Sequence, residues 1–164
     1  MTSTQNQPLV AIVYGSTSDT AVMAAAAGVL KEHGVAYVEA AISAHRAPRT
    51  LVGWIEQQES SGVQVFITGA GMSAALPGVV AAHTTRPVIG VPIKGGALDG
   101  LDALLAITQM PPGVPVASVG LNAAKNAGYL AVQILALSRP ELQEALAAGK
   151  GALEQAAREG LAER

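Results

Sequence analysis

Residues 10–34 read VAIVYGSTSDTAVMAAAAGVLKEHG, and this stretch decides the architecture. Val10–Tyr14 is rich in β-branched, apolar residues, the composition of a strand covered on both faces. Gly15–Asp19 is a small, polar turn, and Asp19–His33 is a helical stretch closed by Gly34. Strand, glycine turn and helix make the first half of a βαβ unit. The pattern repeats: Tyr37–Ile42, Val63–Thr68, Val88–Val91 and Val116–Val119 read as further buried parallel strands. Helical stretches are expected over Pro48–Glu59, with proline in the first turn, Ala74–His83, Leu98–Thr108 and Ala123–Leu137. Alternation of this kind predicts an open parallel α/β sheet with helices on both faces. Glu141–Glu163 is expected as a helical tail, broken at the glycines 149, 151 and 160 or reaching to a neighbouring subunit.

Composition narrows the function classes. The 164 residues include no cysteine, which removes disulfides, thiolate nucleophiles and Cys-based metal sites. A net charge of −2 without a basic run argues against nucleic-acid and anionic-membrane partners and leaves small-molecule chemistry. Apolar residues are 50% of the chain and charged ones 13%, more apolar surface than one small globule hides, so a homo-oligomer is expected. Met1–Pro8 is polar and lacks the features of an export signal, giving a disordered or extended segment over 1–8 and a cytoplasmic location. Residues 60–85 carry no Asp, Glu, Lys or Arg, but Gly69, Gly71, Pro77 and Gly78 divide them into strand, turn and helix rather than a membrane span. The domain is thus expected over 9–138 and the tail over 139–164.

The unusual residues cluster after strands, where ligands bind in open α/β sheets. Gly15, Ser16, Ser18 and Asp19 precede the first helix, whose free N–H groups and dipole suit a phosphate. A plain N-cap at Ser18 or Asp19 is an equally good and compatible reading. Asp19, itself anionic, suits ribose hydroxyls better than phosphate. Ser43-Ala44-His45-Arg46 sets an imidazole, which exchanges protons near neutral pH, beside a guanidinium suited to bidentate anion binding. Gly69-Ala70-Gly71-Met72-Ser73 would let backbone approach a flat ligand, or be only a tight turn. Lys94-Gly95-Gly96 reads as a flap or an ordinary loop, and Asn126 as a cap or loop-orienting residue. His33 and His83, near helix ends, read as dipole-complementing or surface residues.

Taken together, Gly15-Ser16-x-Ser18-Asp19, Ser43-Ala44-His45-Arg46-x-Pro48, Gly69-Ala70-Gly71, Leu76-Pro77-Gly78, Pro87–Pro92, Gln109–Val116 and Asn126-Ala127 resemble the N5-carboxyaminoimidazole ribonucleotide mutase family, over about Val10 to Leu137. The resemblance implies a flavodoxin-like domain, assembled as an octamer and acting in purine biosynthesis on a ribonucleotide without metal or organic cofactor. It implies that a carboxyl group leaves the exocyclic nitrogen as carbon dioxide and adds to ring carbon 4. His45 matches the proton-transfer histidine. Ser16, Asp19 and Arg46 match substrate-binding positions, with Ser18 and Ser43 close by; Gly15, Gly69, Ala70, Gly71 and Ser73 complete the expected binding set.

Two positions depart from the mutase pattern. Ala75 stands where the mutase branch usually has histidine, and Ala103 where most mutases have serine. Ser73 and the missing histidine look more like the sister branch, which carboxylates aminoimidazole ribonucleotide directly. Leu76-Pro77-Gly78, the Gln109–Val116 run and Lys125-Asn126-Ala127 look like the mutase branch, which is the preferred expectation. A non-catalytic flavin or nucleotide module is a further alternative, disfavoured by 3% aromatic content. A phosphoacceptor domain would need acidic residues where Gly15-Ser16 and Thr68-Gly69 stand.

Overall fold

The computed structural model describes residues 7–162. Along the chain run β1 (Val10–Tyr14), a 3₁₀ turn (Thr17–Asp19), α1 (Thr20–Glu32), β2 (Tyr37–Ala41), α2 (Pro48–Ser60) and β3 (Val65–Gly71), followed by α3 (Leu76–Ala82), β4 (Val88–Ile93), α4 (Leu101–Thr108), β5 (Ala117–Ser118), α5 (Ala124–Ala136) and α6 (Pro140–Ala162). The five strands are parallel in the order β2-β1-β3-β4-β5. This is the flavodoxin-like doubly wound order, and its switch point lies between β1 and β3. Of the expected N-terminal segment 1–8, residues 1–6 lie outside the described residues, as does the end of the tail. Gln7 is held by its side-chain amide donating to the Ser61 carbonyl.

Strand periodicity divides the core in two. Val10, Ile12, Tyr14, Val65, Ile67, Ile89 and Val91 face α1 and α5; Ala11, Val13, Phe66 and Val88 face α2, α3 and α4. The α1–α5 crossing is built from small residues. A Cβ on Gly128 would sit 2.9 Å from the Ala26 carbonyl oxygen and 2.9 Å from Val29 Cβ.

Several expectations need correction. β3 runs through Gly71 instead of ending at Thr68, because Gly69, Ala70 and Gly71 pair with Val91, Pro92 and Ile93. The glycines therefore end the strand, and the turn moves on to Met72–Ala75. β4 likewise continues to Ile93, and β3 begins at Val65. β2 is not buried: as an edge strand it alternates between half-buried and exposed residues. β5 shrinks to two residues. α4 starts only at Leu101, since Asp99 and Gly100 adopt left-handed φ angles of 54° and 92°. α3 is shortened to Leu76–Ala82. The tail is one unbroken helix: each interior glycine costs about 1 kcal/mol of helix propensity without forcing a break. No helix of the described residues is long and apolar enough to cross a membrane.

Candidate active site

Parallel winding brings the loops after β1, β2 and β3 to one rim. Gly15 N–H donates to the Gly69 carbonyl (3.2 Å), which fixes the start of the first loop. Ser16 is in extended backbone, with φ −154° and ψ 152°. Its Oγ accepts from Ser18 N–H at 3.3 Å and lies 3.0 Å from Ser18 Oγ, while its carbonyl accepts from Asp19 N–H at 3.0 Å. The expected cap at Ser18 or Asp19 is not made: Ser16, two residues before Ser18, caps the 3₁₀ turn, and α1 has no side-chain cap. Asp19 makes no side-chain capping bond to α1; its Oδ1 accepts from Ser18 Oγ at 3.2 Å, and both residues line the pocket.

The loop after β2 is a tight turn held by Ser43. Its hydroxyl accepts from Arg46 N–H (3.2 Å) and its carbonyl from Ala47 N–H (2.9 Å), so Ala44 and His45 are carried at the tip. Arg46 Nη2 donates to the Gly15 carbonyl at 3.3 Å and ties the two loops together. His45 is exposed on its own chain and is among the residues that line the pocket.

A cavity of about 460 Å³ opens between these loops. Gly15, Ser16, Ser18, Asp19, Ser43, His45 and Arg46 line one wall; Ala70, Gly71 and Ser73 line the other. Gly69 alone of the expected set is outside it: it is buried in β3, and a Cβ there would come within 2.5 Å of Met23 Sδ. Its role is to admit Met23 and to hold Gly15. His45, Met72, Ser73 and Ala75 also border a second chamber of about 530 Å³ that reaches Asp102, Ala106 and Met110. Met72 closes the turn in a left-handed conformation, φ 51°, unusual for a residue with a side chain.

Asp102 and Ala106 escaped the sequence reading. Asp102 is in the first turn of α4, after a loop at the carboxyl end of β4, and that position was the available signal. Lys94 lines neither chamber: it pairs with Asp99 at 3.0 Å, and its N–H donates to Asn122 Oδ1 at 2.9 Å. Asn122, at φ 54°, does the loop-orienting expected of Asn126, which sits uncapping in the first turn of α5. His33 accords with expectation: Nδ1 is 2.9 Å from the Val29 carbonyl at the end of α1, and the ring meets Tyr129 edge-on at 5.8 Å. His83 is exposed at the end of α3. Among the described residues, no three His, Asp or Glu side chains gather as a metal ion would require.

Beneath the first loop, Tyr14 Oη donates to Glu39 Oε1 (2.9 Å) and lies 3.2 Å from Thr20 Oγ1. Burial raises the Tyr14 pKa above its ordinary 10.0; the Glu39 bond and the charges of Glu39 and Asp19 raise it further, against a lowering by Thr20.

Fold and site define a doubly wound α/β protein with a ligand-sized pocket, one histidine and one arginine at the carboxyl ends of its first strands. The chain belongs to the AIR carboxylase family, whose model matches residues 9–156. The N5-carboxyaminoimidazole ribonucleotide mutase of Pyrococcus abyssi is 54% identical over 139 residues, 85% of this chain and 80% of that protein. The phosphoribosylaminoimidazole carboxylase of Schizosaccharomyces pombe is 50% identical over 139 residues, 85% of this chain but 25% of that longer protein. Treponema denticola PurE superposes with a TM-score of 0.86 at 30% identity, covering 93% of this chain and 95% of that one.

Proposed function

We propose that this chain converts N5-carboxyaminoimidazole ribonucleotide to 4-carboxyaminoimidazole ribonucleotide in purine biosynthesis. The observation that carries this reading is the convergence of His45, Arg46, Ser16, Ser18 and Asp19 on one pocket, in a family whose similar members include N5-carboxyaminoimidazole ribonucleotide mutases. In the proposed assignment the hydroxyls of Ser16 and Ser18 hold the phosphate, Asp19 takes ribose hydroxyls, and Arg46 takes an anionic oxygen. Gly71 and Ala70 let the heterocycle lie against backbone.

The chemistry balances without a co-reactant. The N–carboxylate bond breaks, carbon dioxide leaves, and the exocyclic nitrogen takes a proton carried by His45, which leaves that imidazole free to accept the next one. Ring carbon 4 then attacks the same carbon dioxide, and its hydrogen leaves as a proton, restoring aromaticity. One imidazole suffices to receive that proton, and His45, which lines the pocket from the loop tip, is the group assigned to it. No metal or organic cofactor enters this scheme.

We assign the working form to a cytoplasmic homo-octamer. Supporting this are the exposed leucines Leu137 (86%), Leu153 (74%) and Leu161 (73%) and the outer half of α6, which lies uncovered on its own chain.

One observation favours direct carboxylation of aminoimidazole ribonucleotide as the second reading: Ser73 and Ala75, the positions that look like the sister branch, both line the pocket. Purified protein offered each substrate separately distinguishes the two. Product from N5-carboxyaminoimidazole ribonucleotide is expected; turnover only with aminoimidazole ribonucleotide and bicarbonate would reverse the assignment.

A further inference from the structure

Tyr14 is 5% exposed, and its ring packs among Val10, Ile12 and the residues of α1, where a phenylalanine would fill the same space. What a phenylalanine would lack is the hydroxyl, which reaches the surface between the start of α1 and the edge strand β2. There it donates to Glu39 Oε1 at 2.9 Å, a charge-assisted bond. Thr20 Oγ1 lies 3.2 Å from that hydroxyl and 2.8 Å from the Thr17 carbonyl oxygen, so its single proton reaches either acceptor. Thr20 N–H also donates to the Thr17 carbonyl. With the Tyr14 proton on Glu39 and the Thr20 hydroxyl proton on Tyr14, the path from Glu39 through Tyr14 to Thr20 reaches the Thr17 carbonyl through the Thr20 N–H.

That path ends on a peptide plane. The Thr17 carbonyl and the Ser18 N–H share one rigid plane and point in opposite directions, so holding the carbonyl aims the N–H. That N–H donates to Ser16 Oγ at 3.3 Å, so it sets the serine whose hydroxyl is assigned to the phosphate; both residues line the pocket. Packing needs neither the phenol hydroxyl nor a carboxylate on an exposed edge strand. We propose that Tyr14, anchored by Glu39, is a positioning residue that sets the Ser16–Asp19 turn for the phosphate of the substrate. The proposal rests on the assignment of that turn to the phosphate made above.

The test compares kcat, KM and the inhibition constant for inorganic phosphate in four variants. Tyr14→Phe is expected to raise KM and weaken phosphate inhibition by about fivefold to tenfold, with kcat within about twofold of the parent. Glu39→Leu is expected to do the same, and Glu39→Gln, which still accepts the Tyr14 bond, to restore parental values. Ser16→Ala reports on the phosphate assignment itself. If Ser16→Ala raises KM while Tyr14→Phe does not, the positioning role is wrong and the phosphate site stands. If neither changes KM, the phosphate assignment fails and takes the proposal with it. A fall in kcat and thermal midpoint in Tyr14→Phe without the KM change, or a Glu39→Gln as impaired as Glu39→Leu, would also overturn it.

Discussion

Tyr14 binds its proton more tightly in the folded chain than in the unfolded one, chiefly through burial and then through Glu39 and Asp19. Because the folded pKa is the higher, the stabilisation is complete below pH 10, the unfolded value. It is lost as pH rises through the folded value. Unfolding free energy measured from pH 8 to 11 should therefore fall more steeply in the parent than in Tyr14→Phe; parallel curves would contradict this. The residues around it were unevenly legible. His45, Arg46, Ser16 and Asp19 stood out because polar side chains and glycine interrupt apolar runs. The Tyr14–Glu39 bond was not legible, since it joins neighbouring strands through a register that only the folded sheet fixes. Asp102 was missed for the related reason that α4 must be placed before its first turn can be seen to border the same chamber as His45.

Two glycines in helices give opposite expectations for one substitution. Gly28, in α1, is exposed and has nothing within 4 Å of an added Cβ, so Gly28→Ala should stabilise by about 1 kcal/mol. Gly128, in α5, meets a carbonyl oxygen of α1 at 2.9 Å. Backbone cannot move aside as a side chain would, so Gly128→Ala should destabilise by about 1–3 kcal/mol despite its better helix propensity. Urea unfolding midpoints check both signs. Element identities followed from the sequence because buried parallel strands are short apolar runs and the helices between them carry their own stops. Boundaries followed less well. Gly69-Ala70-Gly71 carries the composition of a turn, yet continues the ladder because β4 offers Val91–Ile93 as partners. The same composition-driven reading split α6, whose glycines all point to open space.

At the scale of the molecule, the excess of apolar residues over charged ones foretold surface that one chain leaves uncovered. Gly151–Leu161 of α6 is exposed throughout, with Leu153 and Leu161 among the most exposed leucines. If the proposed octamer is held by α6, removing residues 150–164 should leave the α/β domain folded, by circular dichroism, and lower the number of chains per particle in sedimentation equilibrium below that of the parent. An unchanged number of chains per particle would remove α6 from the assembly. The sheet order was implied by the family resemblance and is met, whereas the partners of the exposed leucines lie beyond what one chain's pattern can specify.

All the chemistry is assigned to a single imidazole on the loop after β2. Its most direct test is the initial rate of 4-carboxyaminoimidazole ribonucleotide formation by the parent and by His45→Asn, at saturating N5-carboxyaminoimidazole ribonucleotide. Loss of a general base predicts a fall in kcat of about 10²- to 10⁴-fold, with substrate binding retained. A variant that turns over at close to the parental rate would contradict the account.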